Sequence, residues 1–253
     1  MSVPLTTHLA SLSTPRPYSA ATEHAFLTAA GTGVLPAPLL SLYLSQDRIY
    51  AAHAYPRFLG HLLTHVPFSS LHAPDSPEER FHSEIVGVLA DALQNVQREV
   101  GLFADIEKKY TLPSFAGWRE RKATRDYTAE LARVGAFGSF EDGLVFLWAM
   151  ERVYLDAWMY AKSLLGNVQG EPSPAFSAVK ELVGNWTSPE FVKFVDGLAD
   201  LVDRLHIVPG SAAFICAEEI WARVVELEEA FWPIDGEEST VLAHKLLAST
   251  DLT

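Results

Sequence analysis

Apolar residues recur at three- and four-residue spacing along nearly the whole chain, and no segment shows the strict alternation of a half-buried strand. The chain is therefore confined to helices, and its punctuation says where they begin. Ser76-Pro77-Glu78-Glu79 and Ser188-Pro189-Glu190 each place a capping hydroxyl, a proline at the first helical position and acids in the first turn. Read this way, the chain predicts helices at Thr22 to Ala30 (capped by Thr22, ended by Gly31 and Gly33), Pro38 to His65 (kinked or broken at Pro56) and Ser76 to about Tyr110. Further helices are expected at Ala123 to Val134, Phe140 to Leu165, Pro174 to Trp186, Ser188 to Leu205, Ser211 to Trp232 and Gly236 to Ala248. Connections are short, and no repeat or low-complexity linker divides them. One all-α domain over residues 22–253 is expected, after a loose N-terminal arm of residues 1–21. A chain of 253 residues can bury about 70–75% of its unfolded surface without staples.

Acids interrupt these apolar faces. Glu151 lies among Leu147, Trp148, Tyr154 and Leu155; Asp47 among Tyr43, Leu44, Tyr50 and Ala51; Glu228 among Val224, Val225, Phe231 and Trp232. A buried carboxylate is costly unless it is paired, hydrogen-bonded or protonated, and such groups concentrate in functional sites. Each has a plainer reading as a structural acid bonded to a tyrosine, an arginine or the backbone. Glu151 and Arg152 do not pair, because adjacent helical positions point about 100° apart.

The net charge is −13, with a pI near 5.1 and no basic cluster, so neither nucleic acid nor an anionic membrane surface is an expected partner. The N-terminal sequence lacks a charged and apolar leader, and no run of apolar residues is long enough to span a bilayer. A single cysteine, Cys216, fits a reducing, cytoplasmic setting and reads as an inert buried thiol.

Four segments, in order, carry a family likeness. Leu42-Tyr43-Leu44-Ser45-Gln46-Asp47-Arg48-Ile49-Tyr50 resembles the YLLQDYLYL helix of TenA-like proteins, the thiaminase II group. Thr124-Arg125-Asp126-Tyr127-Thr128 resembles that family's xxAYT helix start. Asn185-Trp186-Thr187-Ser188-Pro189-Glu190-Phe191 resembles its tYsSpeF turn, and Leu227-Glu228-Glu229-Ala230-Phe231-Trp232 its yExxFW segment. The resemblance spans residues 22–232. It implies an all-α, heme-oxygenase-like helical bundle, a homo-oligomer (dimer or tetramer), and chemistry on aminopyrimidines derived from damaged thiamin. It implies that Asp47 and Glu228 bind and protonate the ring, that Tyr50 and Tyr127 shape the pocket, and that Phe231 stacks.

Two positions depart from the family pattern. Met150 stands where the family carries its nucleophilic cysteine, in Ala149-Met150-Glu151-Arg152-Val153-Tyr154, and a thioether cannot become a thiolate. Trp186 stands where a tyrosine is typical. The chain thus resembles the cysteine-free branch, in which a glutamate serves instead. The expectation is an aminopyrimidine hydrolase of thiamin salvage, with Glu151 activating water, Asp47, Glu228, Tyr50, Tyr127, Phe231, Trp186 and Met150 around the substrate, and no metal or organic cofactor. The competing expectation is a non-catalytic pyrimidine-binding or regulatory protein on the same fold. His24 occupies the helix that carries the iron ligand in heme oxygenases, but a glycine-rich distal helix is missing from the sequence. Asp203 and His206 lack the further acid–histidine pairs that a di-iron bundle needs.

Overall fold

Serine side chains start five of the helices. Ser76 Oγ accepts from Glu79 N at 3.2 Å, and Ser173, Ser188 and Ser211 accept from Phe176, Phe191 and Phe214 N at 3.1, 3.2 and 3.1 Å. Ser139 and Asp142 form a reciprocal capping box, with both bonds at 3.0 Å. Each cap satisfies an amide that the helix leaves unpaired and contributes about 1 kcal/mol. A computed structural model describes residues 3–13, 15–114, 118–167 and 171–241. In order the helices are α1 (Leu5–Ala10), α2 (Tyr18–Thr22), α3 (Ala25–Thr32), α4 (Ala37–Ile49), α5 (Tyr55–His65) and α6 (Pro77–Lys109). They continue as α7 (Lys122–Phe137), α8 (Phe140–Leu164), α9 (Pro174–Trp186), α10 (Pro189–Asp203) and α11 (Ala212–Phe231). Among the described residues there is no strand, so the fold is all-α as expected.

Helix α8 is the central rod. It packs against α2, α3, α9, α10 and α11, as its nearly all-round apolar surface requires. Its one polar strip, the Arg152–Asp156 ion pair, is itself covered: Tyr18 donates to Asp156 Oδ2 at 2.7 Å. Helix α3 lies tight against α8 at Gly31, where an added Cβ would sit 2.5 Å from the Ala161 carbonyl oxygen and 2.8 Å from Leu164 Cβ. Gly31→Ala is therefore expected to destabilise the protein by about 1–3 kcal/mol in a denaturant titration. An unchanged midpoint would mean that the two helices part without cost.

Several sequence expectations need correcting. The N-terminal segment is not a loose arm. Leu5 and Leu9 are buried one helical turn apart on α1, and Thr6 bonds the Asp203 carboxylate through N (2.9 Å) and Oγ1 (2.8 Å). Arg16 pairs with Glu229, and Tyr18 stacks on Trp221 with ring centroids 5.4 Å apart. Thr22 does not cap α3, because its hydroxyl donates back to Tyr18 O at 3.2 Å. The cap is His24, whose Nδ1 accepts from Phe26 N at 3.1 Å. Gly33 ends that helix in the left-handed region, at φ 78°. Cys216 is exposed rather than buried, because it lies on the solvent side of the first turns of α11. The expected helix from Gly236 to Ala248 is helical from Glu237 to Val241, and the remainder lies outside the described residues.

The predicted break at Pro56 takes a particular form. Tyr50–Ala54 is a π-helical turn between α4 and α5, and Pro56 occupies the first turn of α5, where its missing N–H costs little. In an α-helix, residues five apart point about 140° away from one another. The wider π turn brings Tyr50 and Tyr55 to the same side, with ring centroids 5.8 Å apart, both reaching α8.

Candidate active site

A cavity of about 790 Å³ opens between α4, the π turn, α6, α7, α8, the α9–α10 corner and α11. All eight residues singled out from the sequence line it: Asp47, Tyr50, Tyr127, Met150, Glu151, Trp186, Glu228 and Phe231. Tyr50, Tyr127 and Phe231 form a ring-lined corner, with centroids 5.2 Å (Tyr50–Tyr127), 5.8 Å (Tyr127–Phe231) and 6.0 Å (Tyr50–Phe231) apart.

The acids share one pattern. Asp47, only 5% exposed, has the hydroxyls of Tyr43 and Tyr154 each 3.2 Å from Oδ2, and those hydroxyls lie 2.9 Å from one another. Glu228, 4% exposed, accepts from Tyr127 at Oε1. Glu151 accepts from Tyr55 at Oε1, and Glu99 accepts from the indole N–H of Trp186 at Oε1. Each carboxylate thus has one oxygen fixed by an aromatic donor. Among the described residues the second oxygen of each has no hydrogen-bond donor, and no basic side chain pairs with any of the four.

Charge in such a place is costly. Burial drives the Glu151 pKa up to about 7, opposed by the Tyr55 hydrogen bond and helped by the negative charge of Glu99. Burial likewise lifts Glu228 to about 8 against the Tyr127 bond. Glu99 rises to about 7 by burial, held back by Trp186. Asp47 is pushed well above the usual carboxylate range, by burial first and by Glu99 second. At neutral pH the cavity therefore holds both protonated and ionised carboxyl groups, which suits it to donating a proton at one point and accepting one at another.

Met150 and Trp186 take supporting positions. Tyr50 donates to Met150 Sδ at 3.3 Å, so the thioether orients that ring. Trp186 spends its one donor on Glu99. The residues that sequence reasoning missed are Glu99, Tyr55 and Tyr154. A signal for Glu99 was present: Ile85, Leu89, Ala92, Val96, Phe103 and Ile106 form a buried stripe of alternating four- and three-residue steps along α6, and Glu99 occupies the step between Val96 and Phe103.

A buried clamp holds the lower wall. Arg121 Nη1 donates to the Phe231 carbonyl at 2.7 Å, and Nη2 to that of Ala230 at 3.4 Å, at the end of α11. Its guanidinium also pairs with Glu237, while its backbone N–H donates to Gln46 Oε1 at 2.8 Å. Neutralising the exposed carbonyls of a helix terminus with a cation is favourable. Here it also ties the strand of chain before α7 to the residue beside Asp47 and to the end of the helix bearing Glu228. Among the described residues, no group of three or more His, Cys, Asp or Glu side chains is arranged to hold a metal ion.

Comparison with known proteins finds no matching family model and no match among curated proteins. Solved structures do match. A TenA homologue from Pyrococcus furiosus superposes with a TM-score of 0.69 at 21% identity, covering 85% of this chain and 92% of that one. A TenA homologue from P. horikoshii OT3 gives 0.70 at 19% identity over 91% of this chain and 97% of that one. A TenA-family transcription regulator from Silicibacter sp. TM1040 gives 0.72 at 16% identity over 90% and 94%. At these identities the likeness is one of fold, and it spans nearly the full length of each partner: the chain has the all-α fold of the TenA proteins.

Proposed function

We propose that the protein hydrolyses an aminopyrimidine bearing an aminomethyl or formylaminomethyl arm, using carboxylates in place of a cysteine. The observation that supports this reading is the set of four carboxylates around one aromatic cavity, each with one oxygen held and one left for a ligand. A 4-aminopyrimidine presents an amine donor, a basic ring nitrogen and two π faces, and the cavity offers a partner for each. Glu228, protonated up to about pH 8, donates to the ring nitrogen. Asp47 accepts from the exocyclic amine. Phe231, Tyr50 and Tyr127 enclose the ring.

Glu151 is placed to move the proton of a water molecule. Its Oε1 is fixed by Tyr55, the residue lines the cavity, and a pKa of about 7 leaves about half of it ionised at neutrality. The arm reacts as its ammonium form: the water oxygen bonds to the methylene carbon, the bond from that carbon to the protonated nitrogen breaks, and ammonia departs with the electron pair. The water proton passes to Glu151, and the product is the hydroxymethylpyrimidine. For the formyl derivative the same base would direct water at the formyl carbon, releasing formate and the amine.

The test is incubation with aminomethylpyrimidine. Ammonia and hydroxymethylpyrimidine are expected in equal amounts. Saturable binding without ammonia would favour the non-catalytic pyrimidine binder, and neither binding nor turnover would overturn both readings.

A further inference from the structure

Of the four cavity carboxylates held by an aromatic donor, Glu99 is the one that this scheme leaves unused. It interrupts an otherwise apolar stripe of α6, a place where the helix would be more stable with a leucine. Trp186 fixes its Oε1, Oε2 has no donor among the described residues, and the residue lines the cavity. It lines the same cavity as Asp47 and Glu151, and its negative charge raises the pKa of both.

The charge balance around it is one-sided. Asp105 and Glu190 also line the cavity, while the one lining cation among the described residues, Arg98, is directed to Asn95 Oδ1. At about 790 Å³ the cavity is of the size that holds drug-sized ligands, more than one ring fills. Ionised Glu99 therefore has no neutralising cation among the described residues until a ligand brings one.

We propose that Glu99 is an ammonium subsite: its free oxygen receives the protonated amine on the arm of the pyrimidine, so the site selects a cationic aminomethyl arm over an uncharged amide or hydroxyl. The proposal rests on the pyrimidine reading and narrows it to the charged amine. The consequence is directional. An alkylammonium already carries the proton with which ammonia leaves, and the hydroxymethyl product, having lost its cation, loses the Glu99 contact and is released.

The experiment compares dissociation constants of aminomethyl- and hydroxymethyl-pyrimidine by calorimetry, in a Glu151→Gln background so that the amine is not consumed. The amine is expected to bind about 10- to 100-fold more tightly, the range of a buried charge-assisted hydrogen bond. Adding Glu99→Gln is expected to bring that ratio close to one, and Glu99→Asp, which keeps the charge, to retain much of it. A ratio near one in the background protein, or a ratio unchanged by Glu99→Gln, overturns the ammonium subsite and leaves the pyrimidine reading standing. Failure of both ligands to bind overturns the two together.

Discussion

Glu151→Gln folds normally and loses hydrolysis of the aminopyrimidine by about 10²–10⁴-fold, the usual contribution of a positioned base. The substitution is nearly isosteric, and its amide oxygen can still accept from the Tyr55 hydroxyl that now meets Glu151 Oε1. What it removes is a group that takes a proton near neutrality. The loss should fall on kcat, with KM little altered, because the contacts proposed to hold the ring, from Asp47, Glu228 and the aromatic corner, are left in place. The pH profile follows from the same groups. Glu151 must be ionised and works above about pH 7, while Glu228 must keep its proton, which it loses above about pH 8. The rate should therefore peak between those values and fall on either side. A steady-state assay of the variant at wild-type rate would remove Glu151 from the chemistry.

The second large effect is on stability, and it has the opposite sign. In the folded chain Glu151 keeps its proton to about pH 7 and Glu228 to about pH 8. In the unfolded chain glutamates release it near an ordinary value of about 4.3. Between those limits the folded state binds more protons, so stability falls as pH rises, by up to about 1.4 kcal/mol per unit for each group. The contribution is whole below about pH 4 and gone once pH has passed about 8. Glu228→Gln removes this penalty while keeping an acceptor for Tyr127. At pH 8.5 the unliganded variant should be more stable by roughly 2–4 kcal/mol, and its Tm higher by about 5–15 °C, with the difference vanishing near pH 4.5. Thermal melts at the two pH values check this. A variant less stable at high pH would mean that the carboxylate is ionised and satisfied in the folded chain. The expected pattern, a protein stabilised by removing its own site residue, is the mark of a cavity that waits for a ligand.

Much of this was legible from the chain itself, for identifiable reasons. Helix starts were readable where a serine cap preceded proline or acids, as at Ser76 and Ser188. Asp47, Glu151 and Glu228 stood out because each lies among large apolar residues at helical spacing, and all three reach one cavity. Glu99 was hidden by its polar sequence neighbours: Gln97, Arg98 and Asn95 make that part of α6 look solvated, and only the buried stripe from Ile85 to Ile106 betrays it. The N-terminal helices were missed because six and five residues give too little periodicity, and what orders them is tertiary, namely the Asp203, Glu229 and Asp156 partners far along the chain. The π turn was out of reach for a similar reason. Pro56 signals an interruption, but the contacts of Tyr50 and Tyr55 with Met150 and Glu151 that accompany the wide turn are not local in sequence.

The most direct test of the central claim is a crystal structure of the protein soaked with aminomethylpyrimidine. The ring is expected to be enclosed by Tyr50, Tyr127 and Phe231, with its exocyclic amine within hydrogen-bonding reach of Asp47 and a ring nitrogen on Glu228. A ring lodged outside this cavity, or a cavity without pyrimidine at saturating concentration, would contradict it.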